Sequence, residues 1–75
     1  MINLYTADYC PYCHKVMEFL EANNISYENK DIKEASNRQV VIAAGKMQIP
    51  YMLDTDTGNG IYESEEIINY INKFL

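Results

Sequence analysis

The sequence predicts an α/β domain whose elements follow the order βαβαββα. A strand, a helix and a second strand fit within the first thirty residues, which indicates a right-handed βαβ unit with a parallel strand pair. A run of turn-forming residues then separates two short apolar segments, as is typical of an antiparallel hairpin. An amphipathic helix ends the chain. We therefore expect one sheet that contains both the parallel pair and the hairpin.

The first half of the chain supplies the predicted βαβ unit. Apolar and polar residues alternate over residues 2–6, which predicts a strand. A helix is expected from about Pro11 to Asn23. It should end at Asn23 and Asn24, because asparagine tolerates the left-handed conformation at a helix C-terminus. The alternation resumes over residues 25–31, the predicted second strand.

A second helix and the hairpin are expected next. Asp31 and Glu34 have the spacing of a capping box, and Gly45 is a typical C-terminal stop, so a helix is predicted between them. Short strands over residues 51–53 and 61–62 form the predicted hairpin. The apolar side of the second helix is expected to consist of Val40, Val41 and Ala44.

The last helix is expected to begin with Ser64 as its N-cap. Glu65 and Glu66 then fall in the first turn, where carboxylates interact favourably with the helix dipole. Basic residues at the positions of Glu65 and Glu66 would disfavour a helix start here, because cations interact unfavourably with a helix N-terminus. The side of this helix that is predicted to be buried consists of Ile67, Ile68, Tyr70, Ile71, Phe74 and Leu75.

Length and charge limit the classes of function. Seventy-five residues predict a single domain, near the lower size at which one hydrophobic core is stable. The net charge of −5 argues against a nucleic-acid partner. No basic leader or long apolar run indicates a signal peptide or a membrane segment. We therefore expect a cytoplasmic monomer, in a reducing compartment where two nearby thiols are more often catalytic than structural.

The motif Cys-Pro-Tyr-Cys at residues 10–13 lies between the first predicted strand and the first predicted helix. Cys10 is expected at the helix N-cap and Pro11 at the first helical position, where the missing N–H of proline costs nothing. A helix N-terminus favours a thiolate over a thiol. Cys13 returns to the same helical face one turn later. The spacing predicts a reversible dithiol with one exposed, ionised sulfur and one sheltered sulfur.

Three other interpretations of these cysteines are open. They could be a buried structural pair, because free cysteine often behaves as a small apolar residue. They could form half of a zinc site, although two Cys and one His leave the ligand set incomplete. The sequence from Cys10 to His14 also has the C-x-x-C-H spacing of covalent haem attachment. The redox interpretation is favoured, because C-x-x-C beside a βαβ pattern is typical of thioredoxin-like proteins.

Over essentially all 75 residues the chain resembles a glutaredoxin, a small member of the thioredoxin superfamily. The resemblance rests on the Cys-Pro-Tyr-Cys motif, on Ile49-Pro50 after the second helix, and on Gly-Ile-Tyr-Glu-Ser at residues 60–64. It implies a thioredoxin-like fold, in which a four-stranded mixed sheet is flanked by three helices. It also implies a glutathione-disulfide oxidoreductase without a metal, in which glutathione is the co-substrate, Cys10 attacks and Cys13 resolves.

The resemblance further implies a groove for glutathione. The bond between Ile49 and Pro50 is expected to be cis, and Ile49 should offer its backbone N–H and C=O to the cysteine of glutathione. A helix N-terminus at Glu63 and Ser64 is expected to bind the γ-glutamyl carboxylate. Tyr12 is expected to form a wall and Lys46 to bind an anion. The implied groove residues are Tyr12, Lys46, Ile49, Pro50, Glu63 and Ser64.

The partners that the resemblance implies are glutathione and proteins that carry a disulfide or a bound glutathione, ribonucleotide reductase among them. Two alternatives stay open. Many glutaredoxins carry lysine where this chain has Ala7, which favours a related redoxin that is reduced by a thioredoxin-reductase-like flavoenzyme. The other alternative is a non-enzymatic carrier, in which Cys10 from two chains and two glutathiones hold an iron–sulfur cluster. Glu65 and Glu66 would compete with the carboxylate of glutathione for the helix end.

Overall fold

Three helices and four strands build the chain, and the computed structural model describes all 75 residues. Their order confirms the predicted βαβαββα arrangement. No helix is long and apolar enough to span a bilayer. The elements are β1 (Ile2–Thr6), α1 (Pro11–Ala22), β2 (Tyr27–Asp31), α2 (Ala35–Ala43), β3 (Tyr51–Asp54), β4 (Asn59–Tyr62) and α3 (Ser64–Asn72).

The strands form one mixed sheet in the order β2-β1-β3-β4. β1 runs parallel to β2 and antiparallel to β3, and β3 pairs with β4 in the predicted hairpin. Near the end of β1, Tyr5 pairs with Tyr51 at the start of β3. The loop that leaves β1 and the loop that enters β3 therefore meet at the same end of the two central strands of the sheet. The candidate site lies at this end.

Each face of the sheet carries its own apolar cluster, because successive strand side chains point to opposite faces. Tyr51 and Met52 of β3 are both buried, and they belong to different clusters. On one face Tyr5 and Tyr51 pack with Val41 of α2. On the other face, residues of α1 and α3 pack with β1 and β3. This larger core consists of Leu4, Val16, Leu20, Met52, Ile67 and Ile71.

The start of α2 differs from the prediction. Its N-cap is Glu34, which makes no capping bond with its side chain, so the predicted capping box is wrong. Asp31 is instead the last residue of β2, and its carboxylate accepts the backbone N–H of Lys33 at 2.8 Å. This local turn occupies the group that was expected to cap the helix. Of the apolar side predicted for α2, Val41 is buried, whereas Val40 and Ala44 are exposed.

The boundaries of α3 also differ from the prediction. Glu63 is the N-cap, with φ +71°, and Ser64 is the first helical residue, so Ser64 does not cap the helix. Ile67 is buried, as predicted. The helix ends at Asn72, so Phe74 and Leu75 lie beyond it and do not continue the helical repeat that buries Ile67 and Ile71. Both are exposed, and the prediction that they are buried is wrong.

Candidate active site

Cys10 lies at the N-cap of α1, as the sequence predicts. The chain leaves β1 and turns through a hydrogen bond from the N–H of Cys10 to the carbonyl oxygen of Ala7 at 3.1 Å. Cys10 is extended (φ −95°, ψ 107°), and Pro11 follows as the first helical residue. The Sγ of Cys10 accepts the backbone N–H of Cys13 at 3.2 Å. A sulfur thus takes the place of the usual N-cap oxygen.

The second thiol is more deeply buried than the first. Cys13 is fully buried, whereas Cys10 is 8% exposed, and both are free thiols. The prediction of an exposed sulfur is therefore wrong in degree, because Cys10 packs with Ala7 and Cys13 in one small cluster. Burial raises the pKa of Cys13 to about 12, with a further contribution from hydrogen bonding to Cys10. Cys13 thus stays protonated at neutral pH.

The loop between α2 and β3 approaches the two thiols. The peptide bond between Ile49 and Pro50 is cis, which confirms the geometry that the resemblance implied. Ile49 packs against the cluster that contains both cysteines, and Pro50 is fully buried. The hydroxyl of Tyr62 anchors the start of this loop. It donates to the carbonyl of Val41 at 2.8 Å and accepts the N–H of Lys46 at 3.0 Å.

An open cleft of about 320 Å³ lies between the start of α1, the cis-proline loop and the start of α3. It brings together all of the predicted groove residues except Lys46, whose Nζ lies 5.1 Å from the ring centroid of Tyr62. Gln48 was not predicted, although its position two residues before the proline would have indicated it. The lining residues are Tyr12, Gln48, Ile49, Pro50, Glu63, Ser64, Glu65 and Glu66.

The charges of the cleft come from the first turn of α3. Glu63, Glu65 and Glu66 line the cleft, and none of its lining residues is a lysine, arginine or histidine. Glu65 is paired with Lys15 of α1. Ser64, at the same helix end, is 7% exposed. The helix end therefore offers free backbone N–H groups and a hydroxyl, but in an environment with a net negative charge.

No group of three or more His, Cys, Asp and Glu side chains in the chain is arranged to hold a metal ion. Cys10, Cys13 and His14 are not part of such a group in the structure.

Comparison with known proteins identifies the family. Residues 4–73 match the glutathione S-transferase N-terminal domain family. The chain belongs to this family of thioredoxin-like domains. No curated protein sequence matches it.

Solved structures agree with this assignment to the thioredoxin-like domains. A crystal structure of the thioredoxin-like protein BC3987 is 28% identical, covers 100% of both chains and has a TM-score of 0.83. A point mutant of the same protein is 30% identical over 83% of this chain and 84% of that one, with a TM-score of 0.72. A buckwheat glutaredoxin–glutathione complex has a TM-score of 0.75 at 14% identity, over 96% of this chain and 68% of that one. The thioredoxin-like fold is thus established, and it supports a thiol-oxidoreductase type of family.

Proposed function

We propose that this thioredoxin-like domain is a glutathione-dependent thiol-disulfide oxidoreductase, which reduces protein disulfides and protein–glutathione mixed disulfides. One observation carries the proposal. Two free thiols of different burial stand at a helix N-terminus, and the less buried one accepts an N–H from the other residue. This arrangement suits a pair in which Cys10 attacks and Cys13 resolves.

The first step is an exchange of one disulfide for another. The thiolate of Cys10 attacks one sulfur of the substrate disulfide, forms a mixed disulfide with it and displaces the other sulfur as a thiolate. Cys13 then loses its proton, and its sulfur attacks Cys10. The second substrate sulfur leaves, and the Cys10–Cys13 disulfide forms. The dithiol has lost two electrons and two protons, and the substrate has gained them as two thiols.

Two molecules of glutathione return the protein to its dithiol form. The first attacks Cys10 and releases Cys13 as a thiol. The second attacks the glutathione sulfur of the Cys10–glutathione mixed disulfide, which forms oxidised glutathione and releases Cys10 as a thiolate. With a glutathionylated protein as substrate, Cys10 displaces the protein thiol and retains the glutathione, so that only the last step is needed.

The cleft supports the proposal that glutathione binds beside Cys10. Tyr12 is 63% exposed and offers an aromatic wall, and Ile49 lines the cleft and packs against the cluster that contains both thiols. The N-terminus of α3, at Glu63 and Ser64, can bind a carboxylate with its backbone N–H groups. A related fold, the buckwheat glutaredoxin, has been crystallised as a glutathione complex.

A second candidate reductant is a thioredoxin-reductase-like flavoenzyme. The acidic lining of the cleft favours it, because the two carboxylates of glutathione meet three glutamates there. A flavoenzyme that docks on the thiols need not place a small anion in this cleft. The cytoplasm, which is rich in both reductants, is our proposed location for either activity, and ribonucleotide reductase is one proposed protein substrate.

The experiment that tests the proposal is NADPH consumption with a small glutathione mixed disulfide. Glutathione plus glutathione reductase is compared with thioredoxin reductase, and the variant Cys10→Ser serves as the blank. We expect turnover with the glutathione system. Turnover with thioredoxin reductase alone would contradict the glutathione dependence and leave the dithiol chemistry in place. No NADPH consumption with either reductant would contradict the proposed enzymatic activity.

A further inference from the structure

The cleft beside the reactive thiol carries charge of one sign only. Glu63, Glu65 and Glu66 line it, and no basic residue does. Lys15 pairs with one of these carboxylates, that of Glu65. Glu63 and Glu66 make no ion pair, so two carboxylates stay uncompensated where a substrate must pass.

A polar side chain in the same cleft is also left without a partner. Ser64 is 7% exposed and lines the cleft, and its hydroxyl makes no hydrogen bond within the chain. The only buried side-chain nitrogen or oxygen atom of the chain without a partner is Asn3 Oδ1, so the Ser64 hydroxyl reaches the solvent of the cleft, and a molecule bound there can replace water as its partner. The first turn of α3 therefore has both a hydroxyl and two carboxylates available to a substrate.

We propose that this cleft selects disulfide substrates by charge, and that its substrates are protein segments with a lysine or arginine next to the reacting cysteine. This inference rests on the proposed oxidoreductase function and names the substrate class of the same site. When Cys10 holds such a segment as a mixed disulfide, the flanking residues lie in the cleft between Tyr12 and the start of α3. A basic side chain then faces Glu63 and Glu66, whereas an acidic side chain that does not reach the backbone N–H groups of α3 meets charge of its own sign.

The size of the effect follows from the exposure of these charges. One pair of exposed unit charges a few ångströms apart changes an affinity by about two-fold to five-fold, and salt screens the interaction. A change from lysine to glutamate replaces attraction with repulsion at both Glu63 and Glu66. We therefore expect the rates with otherwise identical lysine and glutamate substrates to differ by about ten-fold at low salt.

The test uses the intact chain, reduced in advance and freed of excess reductant. It is mixed with three peptide disulfides that differ only in a lysine, glutamine or glutamate next to the cysteine. The rate at which peptide thiol is released in a single turnover is measured. This rate does not depend on the reductant, because the protein is already reduced when it is mixed with the peptide. Each rate is divided by the rate of 2-mercaptoethanol, a neutral thiol, with the same peptide, which removes differences in the reactivity of the disulfides. We expect the normalised rate to be highest with the lysine peptide, intermediate with the glutamine peptide and lowest with the glutamate peptide. The ratio of the lysine rate to the glutamate rate should decrease as salt is added.

Matched variants assign the preference to the cleft. Glu66→Gln is expected to reduce the ratio of the lysine-peptide rate to the glutamate-peptide rate by about three-fold, and Glu66→Lys to reduce this ratio further. Glu18→Gln changes the net charge by the same amount as Glu66→Gln, at an exposed residue of α1 outside the cleft. It should leave the ratio of the lysine-peptide rate to the glutamate-peptide rate unchanged. Equal rates with the three peptides, or equal effects of both glutamine variants, would overturn the inference and leave the oxidoreductase in place. No turnover of the neutral peptide would overturn the proposed function, and the inference with it.

Discussion

The Sγ of Cys10 accepts the backbone N–H of Cys13 at 3.2 Å, and this contact separates the roles of two otherwise identical side chains. Cys10 gains a backbone N–H donor and lies in the cluster that packs against Ile49, a residue that lines the open cleft. Cys13 lies below it, fully buried and with a raised pKa. The pair is therefore asymmetric before any substrate binds.

This asymmetry predicts the order in which the thiols react. At pH 7.5 we expect a limiting amount of iodoacetamide to label Cys10 at least about ten-fold faster than Cys13, because the thiolate is the nucleophile. Burial is the largest cause of the Cys13 pKa of about 12, so Cys13 should stay slow in the variant Cys10→Ser. Peptide mapping by mass spectrometry measures both rates. Equal labelling of the two residues would contradict the asymmetry.

The raised pKa of Cys13 also predicts a loss of stability at high pH. Its pKa rises from 9.0 to about 12 on folding, so the folded state binds the proton more tightly. The contribution is complete below pH 9 and is lost as the pH rises toward 12, by up to about 1 kcal/mol per pH unit. Urea unfolding of the reduced protein at pH 8 and pH 10.5 measures the loss. Cys13→Ala should show a smaller loss, and a loss of equal size would contradict the prediction.

Gly60 is expected to tolerate no side chain. A Cβ at this position would overlap the hydroxyl of Tyr51, whose ring packs against Tyr62 with centroids 4.7 Å apart and against Tyr5 at 5.7 Å. Gly60→Ala should therefore lower the free energy of unfolding by about 1–3 kcal/mol, as overpacking does. The measurement is urea unfolding. In a Tyr51→Phe background the loss should shrink, because the overlapping hydroxyl is gone, and an unchanged loss would count against this explanation.

Tyr62 is expected to support the cis-proline loop through its hydroxyl. Tyr62→Phe removes the hydrogen bonds of the hydroxyl with the carbonyl of Val41 and the N–H of Lys46. It should lower the free energy of unfolding by about 1–3 kcal/mol. Tyr27→Phe is a matched control. It removes one exposed bond, to Glu21 at 2.6 Å, and should cost under about 1 kcal/mol. Equal losses in the two variants would show that the loop does not depend on Tyr62.

Local signals in the sequence were sufficient to predict the element order and the placement of Cys10. Proline at position 11 can begin a helix but cannot continue one, so the N-cap at Cys10 follows from two adjacent residues. Asn24 has φ +56° just after α1, which is the conformation that asparagine was expected to adopt there. In such cases one residue and its immediate neighbours decide the structure.

The features that the sequence did not reveal depend on contacts between distant residues. Glu63 and Ser64 can both precede a helix, and the structure has Glu63 at the N-cap with φ +71°, a conformation that the local sequence does not indicate. Lys46 was expected to bind an anion, but it does not line the cleft, and its Nζ lies over the ring of Tyr62, sixteen residues away in the sequence. The cleft brings together residues 12, 48–50 and 63–66, which are far apart in the sequence, and no local pattern specifies that they meet.

The central claim is that Cys10 attacks the substrate and Cys13 resolves the intermediate. The most direct test is to mix Cys13→Ser with a glutathione mixed disulfide and locate the adduct by mass spectrometry. We expect glutathione on Cys10, in a complex that accumulates because the resolving thiol is absent. The matched variant Cys10→Ser should accumulate no adduct on the same timescale. An adduct that forms on Cys13 as fast as on Cys10 would contradict the claim.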